Sequence, residues 1–168
     1  MTELSLVIRP ELPIDDEPVE RLHERAFGPG RFARSAYRVR ERVPPVASLC
    51  LCAALNGKLL GGVRFTAIRI GAQPNAALLG PLVVDPAEKG KGIGRALVQE
   101  GLTLAKAEGL GLVLLVGDMP YYERFGFQPV PFCQITLPGP VDPARLLALE
   151  LIPGSLADAV GQVKAYAR

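Results

Sequence analysis

The chain has 168 residues, a length that predicts one domain, spanning residues 1–168, which can bury a hydrophobic core. Hydrophobic residues make up 49% and charged residues 21%, proportions that exclude a disordered chain. The 19 basic and 17 acidic side chains leave a net charge of +2, which disfavours a nucleic acid or a membrane surface as the main partner.

The first half of the chain predicts a β-α-α-β-β order. Pro10 ends a first strand, and Asp15 or Asp16 can cap the helix that follows. Asn56-Gly57 joins two later strands, because this pair favours the type I′ turn of a hairpin. The predicted elements are a strand at residues 4–9, helices at about 15–27 and 31–43, and strands at about 47–55 and 58–70.

Five arginines fall within twelve positions of the second predicted helix. They could form a solvated helix face or a patch that binds a ligand. A run of like charges on a helix is more often solvated, so we favour the first interpretation. The cluster comprises Arg31, Arg34, Arg38, Arg40 and Arg42.

The three cysteines and the single histidine do not form a metal-binding pattern. No Cys-x-x-Cys pair occurs, and one histidine is too few for a typical zinc site. Cys50, Cys52 and Cys133 are therefore expected to be buried free thiols. With no signal peptide and no apolar run of about 20 residues, the sequence predicts a cytoplasmic protein.

A glycine-rich turn follows the fourth predicted strand, at residues 78–84. Gly90, Gly92 and Gly94 occupy alternate positions just before a long amphipathic pattern at about 92–108. Glycines let a ligand approach backbone amides closely, and a helix N-terminus presents free N–H groups and partial positive charge. The turn therefore predicts an anion site, with basic side chains from Lys89, Lys91 and Arg95 around it.

Two common phosphate-binding motifs do not fit this turn. A P-loop needs Gly-x-x-x-x-Gly-Lys-Ser/Thr, and no glycine here is followed by Lys-Ser or Lys-Thr in that register. A dinucleotide-binding Gly-x-Gly-x-x-Gly needs glycine where Arg95 or Leu97 stands. An enzyme acting on nucleotide phosphates is therefore disfavoured.

The second half begins with a buried strand at residues 112–116, whose apolar side chains all need cover on both faces. A short helix follows, with Asp118 as its N-cap, Pro120 in its first turn and an exit at Gly126. It contains Tyr122 in the pattern Tyr-x-x-x-Gly-Phe. Further strands are predicted at 132–137 and 146–152, and a short helix in the tail at 153–168.

Lys89-x-x-Gly92-x-Gly94 and Tyr122-x-x-x-Gly126-Phe127 resemble, in order and spacing, the two signatures of the GNAT superfamily of N-acetyltransferases. Lys89 departs from the usual Gln or Arg. The similarity extends over residues 6–152, to a group of small predicted bacterial N-acetyltransferases, through the segments 26–32, 79–82 and 137–140. It implies an α/β fold of the GNAT type, with a mixed central sheet of about seven strands and about four helices.

The resemblance also implies acetyl-CoA as co-substrate, no metal, and transfer of acetyl by direct attack of an amine. In such a site the pantetheine arm would pair with the backbone of Leu82, Val83 and Val84. The pyrophosphate would rest on Lys89, Gly90, Lys91, Gly92, Ile93, Gly94 and Arg95. Tyr122 would be the acid that protonates the leaving thiolate, a role its ordinary pKa of about 10 suits.

No residue stands out as a general base. The fourth strand contains no carboxylate, and Asp85, Asp118 and His23 are better explained by a turn, a helix cap and a packing role. Water or an already neutral amine is therefore expected to serve. A non-catalytic CoA-binding sensor or partner module stays open as the alternative. The acceptor, a small-molecule or peptide amine, and the oligomeric state, a homodimer included, are also left open.

Overall fold

A computed structural model describes residues 5–30, 35–41 and 43–166. Within those residues the chain forms four α-helices and nine strands. The helices are α1 (Asp16–Phe27), α2 (Ser35–Arg40), α3 (Ile93–Ala107) and α4 (Met119–Tyr122). The strands are β1 (Val7–Pro10), β2 (Leu51–Leu55), β3 (Lys58–Ile70), β4 (Gln73–Val84), β5 (Leu112–Val116), β6 (Gln128–Pro129), β7 (Ile135–Thr136), β8 (Leu146–Glu150) and β9 (Gly161–Ala165).

The sheet has the order β1-β2-β3-β4-β5-β8-β6, with β9 paired to both β3 and β7. The pairs β4–β5 and β7–β9 are parallel and the others are antiparallel, so the sheet is mixed. Asn56 and Gly57, both at positive φ (52° and 78°), form the predicted hairpin turn between β2 and β3. The single α3 crossover joins β4 to β5.

Both faces of the sheet are covered. Along β5, Val113 and Leu115 belong to one buried cluster, and Leu112 and Leu114 belong to the other, as the alternation of a strand requires. The first cluster includes Ile93, Leu97, Val98 and Ala105 of α3, and the second includes Val39 of α2 and Val163 of β9. The prediction that β5 is buried on both faces is confirmed.

Several predicted elements differ from those observed. Residues 153–168 were expected to hold a short helix, but Gly161–Ala165 forms β9, because Val163 is buried opposite Ile70 of β3. The strand expected at 132–137 is shortened to Ile135–Thr136, after a turn in which Gln134 N–H donates to Pro131 O. Residues 47–49 form a 3-10 turn. The second helix is described from Ser35 to Arg40, and its predicted start at residues 31–34 lies outside the described residues.

Among the described residues, no helix combines the length and the apolar character needed to cross a membrane.

Candidate active site

The strands β4 and β5 separate partway along their length. Their parallel pairing covers Ala76, Ala77 and Leu78 opposite Leu112, Val113 and Leu114, and then ends. Strand β4 nevertheless continues to Val84, and β5 continues to Val116. A gap therefore opens between the two strands toward the glycine turn that begins α3.

A cavity of about 1120 Å³ occupies this gap. That volume is large enough for an extended ligand, since small-molecule sites typically span about 300–1,000 Å³. The described residues on its wall come from α1, α2, β4, the glycine turn with the start of α3, the end of β5, α4 with the turn after it, and the loop before β8. They include Tyr37, Arg40, Leu79, Gly80, Pro81, Leu82, Val84, Lys89, Gly90, Gly92, Ile93, Gly94, Arg95, Asp118, Tyr121, Tyr122, Arg124, Asp142 and Arg145.

The glycine turn leaves open space at the N-terminus of α3. Gly90 and Gly92 both have φ of +81°, and a β-carbon at either position would meet no atom within 4 Å. Gly92 is the N-cap residue of α3, and no side chain bonds the first amides of this 15-residue helix. These N–H groups therefore face a ligand-sized space with the positive end of the helix dipole behind them.

The structure brings most of the predicted co-substrate residues to the cavity wall. Those that line it are Leu82, Val84, Lys89, Gly90, Gly92, Ile93, Gly94 and Arg95. The wall does not include Val83, whose side chain is 1% exposed, or Lys91, whose ammonium lies 2.7 Å from a carboxylate oxygen of Glu88. Asp85 N–H donates to Leu60 O on the β3 side of the strand. Because successive residues of a strand direct their N–H and C=O groups to opposite sides, those of Val84 point into the gap.

Two adjacent tyrosines of α4 line the cavity beside this turn. The rings of Tyr121 and Tyr122 meet edge to face, with centroids 4.9 Å apart. Tyr122 also packs against Phe127, at 5.8 Å between centroids, and a β-carbon at Gly117 would overlap its ring. Burial, with Tyr121 and Asp118 nearby, raises the pKa of Tyr122 well above its ordinary value. Its hydroxyl is therefore held protonated and can act as a proton donor.

None of the groups considered as a base has the surroundings of one. Asp85 is 4% exposed, accepts a hydrogen bond from Ala87 N–H and pairs with Arg25, and these contacts lower its pKa. His23 is 2% exposed, and neither it nor Asp85 is among the described residues on the cavity wall. Asp118 occupies the predicted N-cap position of α4, but its side chain makes no capping hydrogen bond and instead lies 3.4 Å from Arg145. Within the described residues, no cluster of three metal-binding side chains occurs.

A family model for the acetyltransferase (GNAT) family matches residues 16–127. The chain belongs to the GNAT acetyltransferase family. Uncharacterized N-acetyltransferase YhbS of Escherichia coli K12 is 33% identical over 125 residues, which are 73% of this chain and 74% of that protein. Uncharacterized N-acetyltransferase YjhQ of the same strain is 30% identical over 118 residues, 68% of this chain and 65% of that protein. The resemblance inferred from the two motifs is confirmed.

Solved GNAT structures share the fold. The complex of E. coli YhbS with CoA superimposes with a TM-score of 0.84 at 27% identity, covering 99% of this chain and 92% of that one. A GNAT acetyltransferase from Brucella melitensis in complex with acetyl-CoA gives a TM-score of 0.70 at 29% identity, covering 98% and 97%. The predicted α/β GNAT fold is therefore confirmed, with nine strands in the described residues where about seven were expected.

One residue of the GNAT cavity was missed by the sequence analysis. Arg40 was placed with four other arginines on a solvated face, and Arg38 is indeed exposed. Arg40 instead lines the cavity, with its guanidinium 4.8 Å from the centroid of the Tyr37 ring. The spacing of the cluster could not separate these two residues, because the burial of Arg40 depends on β4, which is distant in sequence. Arg31, Arg34 and Arg42 lie outside the described residues.

Proposed function

We propose that this GNAT protein transfers the acetyl group of acetyl-CoA to a primary amine. The observation that carries the proposal is the gap between β4 and β5, which leads from the glycine turn at the N-terminus of α3 to Tyr122. A ligand with a pyrophosphate at one end and a thioester at the other matches this arrangement. CoA and acetyl-CoA are the ligands named for the two solved relatives.

The fit of acetyl-CoA to these residues is supported by charge and by backbone direction. The pyrophosphate would accept hydrogen bonds from the amides at Gly92, Ile93 and Gly94, with Lys89 and Arg95 on the cavity wall beside them. The pantetheine arm would lie alongside β4 and form hydrogen bonds with its backbone. Beyond Leu78 these backbone groups are not paired with β5. The residues proposed for the site are Leu82, Val83, Val84, Lys89, Gly90, Lys91, Gly92, Ile93, Gly94 and Arg95.

The transfer is proposed to be a direct attack. The amine nitrogen forms a bond to the thioester carbonyl carbon, the carbon–sulfur bond breaks, and the sulfur leaves with the electron pair. Tyr122 donates its hydroxyl proton to that sulfur, which yields CoA-SH. The proton lost by the amine passes to water, and the tyrosinate recovers a proton from solvent. Much of the rate would come from holding the amine and the thioester together in a defined geometry.

Deprotonation of the amine is assigned to water, or to delivery of the amine in its neutral form. The acids on the described cavity wall are Asp118, which pairs with Arg145, and Asp142, which accepts a hydrogen bond from Ala144 N–H. Both carboxylates are exposed and already have these partners, so neither is assigned as the general base. We place the protein in the cytoplasm, where buried thiols such as those of Cys50 and Cys52 stay reduced.

The proposal is tested by measuring thiol release from acetyl-CoA against a panel of primary amines. Wild-type protein is expected to release thiol in an amine-dependent manner, with one acetylated amine formed per thiol. Gly92→Asp is the matched control, because it puts a side chain and a negative charge where the pyrophosphate would lie. Binding of CoA without thiol release for any amine would instead identify a non-catalytic CoA-binding module.

A further inference from the structure

The cavity next to Gly80 contains the largely buried guanidinium of Arg40, which stacks on the Tyr37 ring and has no carboxylate partner among the described residues. The Nε and Nη1 atoms of Arg40 are buried, and neither has a hydrogen-bond partner within the part of the chain that the structure describes. Its Nη2 would lie 3.0 Å from a β-carbon at Gly80. Burial lowers the pKa of Arg40 to about 10. A buried cation without a partner is costly, and the cost is recovered when an anion binds it.

Other arginines with reduced exposure are paired with carboxylates. Arg64 contacts Glu11 and Glu20, at 2.5 and 3.1 Å. Arg9 lies 2.6 Å from Asp15. The fold therefore supplies counter-ions for guanidinium groups that serve structure. Among the described residues Arg40 has no carboxylate partner, and its side chain lines the ligand cavity.

Arg40 lies beside Gly80, which is separated along β4 from the end of that strand at the glycine turn. The pairing of β3 with β4 shifts between Val63–Leu82 and Phe65–Leu79, which places a bulge at Gly80-Pro81. Gly80 lies four residues before Val84, a separation of roughly 13 Å along a strand. If the pyrophosphate occupies the glycine turn, this bulge is where the acetyl group and the incoming amine meet.

We propose that Arg40 binds a carboxylate of the acceptor, so that the acceptors are amines bearing a carboxylate near the amino group, as in amino acids. This assignment rests on the proposed function and narrows its substrate class. A guanidinium forms two parallel hydrogen bonds with a carboxylate, and a single positive charge matches a single negative one. The apolar walls formed by Leu79, Pro81 and Val116 strengthen that interaction by excluding water.

The charges around the cavity argue against polyamines and other polycations as acceptors. The acidic side chains on its described wall are those of Asp118 and Asp142, and both already have partners. A second ammonium group would therefore meet Arg40 and Arg145 without a free carboxylate beside it. Like charges facing each other in a confined site are unfavourable, and such repulsion excludes the wrong ligand.

The test compares acceptors that differ only in charge. Thiol release from acetyl-CoA is measured with wild-type protein and the common α-amino acids that carry a primary amine and no thiol, each beside its own carboxamide, with β-alanine to vary the spacing. Taurine and O-phosphoethanolamine supply sulfonate and phosphate arms, and spermidine supplies a polycation. We expect at least one carboxylate to exceed its carboxamide in kcat/KM by roughly a hundredfold. Preference for the phosphate, the sulfonate or spermidine would overturn the carboxylate assignment.

Variants locate that preference at Arg40. Arg40→Met should remove the roughly hundredfold advantage of the acid over its carboxamide while leaving the KM for acetyl-CoA within about threefold of wild type. Arg40→Lys should retain part of the advantage, because it keeps the charge and loses the planar fork. Arg38→Met, on the exposed side of the same helix, is the matched control and should leave the ratio unchanged.

The outcomes separate this inference from the proposed function. Turnover of acids and carboxamides at equal rates overturns the role of Arg40 and leaves the acetyltransferase activity standing. An equal loss for all amines in Arg40→Met, with a raised KM for acetyl-CoA, would assign Arg40 to the thioester and overturn the inference. No thiol release with any amine would overturn both. If Arg40→Met fails to fold, the wild-type ratio and Arg40→Lys decide the result.

Discussion

The hydroxyl of Tyr121 lies against Gly94, so that a β-carbon at Gly94 would stand 2.8 Å from that oxygen. This contact joins α4 to the first turn of α3 across the gap between β4 and β5. A residue with a side chain at position 94 would have to displace the tyrosine. The width of the cavity beside the glycine turn is therefore set by a glycine on one wall and a ring on the other.

Gly94→Ala is expected to weaken acetyl-CoA binding by roughly tenfold, because the added methyl group pushes Tyr121 into the cavity. Adding Tyr121→Phe removes the clashing oxygen and should restore most of the affinity. Isothermal titration of acetyl-CoA into the two single variants and the double variant measures the coupling. Gly92→Ala is the control, since its cost comes from a φ of +81° and not from Tyr121. Additive losses in the double variant would contradict the account.

Tyr122→Phe keeps the packing of the ring and removes the proposed proton donor. We expect kcat to fall by roughly 10²–10⁴ while acetyl-CoA affinity is unchanged. Tyr121→Phe should be milder. If the two substitutions both had equally small effects on kcat, Tyr122 would have only a packing role and would not be the proton donor.

The pH profile tests the same assignment without a substitution. Burial raises the pKa of Tyr122, so its neutral, proton-donating form persists to a higher pH than an exposed tyrosine would allow. The kcat profile should therefore rise as the amine or water loses its proton. It should show no falling limb below about pH 10, the ordinary pKa of tyrosine. A falling limb near neutrality, absent in Tyr122→Phe, would contradict the predicted direction of the shift.

No single acid or histidine is expected to be an indispensable base. Asp85→Asn, Asp118→Asn and His23→Gln should each retain a substantial part of kcat, measured by thiol release. Asp85→Asn should also lower Tm, because the buried carboxylate pairs with Arg25 and caps the turn at Ala87. A substitution that lowered kcat by about 10³ and removed the rising pH limb, with fold and acetyl-CoA affinity intact, would identify a dedicated base.

One of the three cysteines should react rapidly with a thiol reagent, and the other two should react slowly. Burial raises the pKa of Cys50 to about 11 and that of Cys52 to about 12, so little thiolate is present at pH 8. Cys133 is exposed. A thiol reagent should therefore modify one cysteine rapidly in the native protein and three after unfolding. Cys133→Ser should remove the fast phase, and a fast phase that survives would contradict this assignment.

Local signals were enough to predict the elements that frame the site. The Asn56-Gly57 pair fixed the turn before β3, because both residues accept the positive φ that a type I′ turn needs. The apolar run of β5 and the glycine turn before α3 could also be predicted from the sequence, because each is a property of a few adjacent residues. The site residues proposed from the two motifs mostly lie on one cavity.

What the sequence did not predict depends on contacts between distant segments. β9 is a strand because Val163 and its neighbours pair with β3, and the five residues alone do not favour that conformation strongly. Cys133 was expected to be buried and is exposed, because the chain turns at positive φ there instead of continuing a strand. Arg40 faces a cavity only because the bulge of β4 passes beside α2.

The central claim is that acetyl-CoA binds with its pyrophosphate on the glycine turn. Isothermal titration of acetyl-CoA into wild-type protein and into Gly92→Asp, with circular dichroism to establish that both are folded, tests it most directly. The account predicts one site per chain in the wild type and no measurable binding in the variant, because the carboxylate occupies the open space at the helix N-terminus. Equal affinity in the two folded proteins would contradict it.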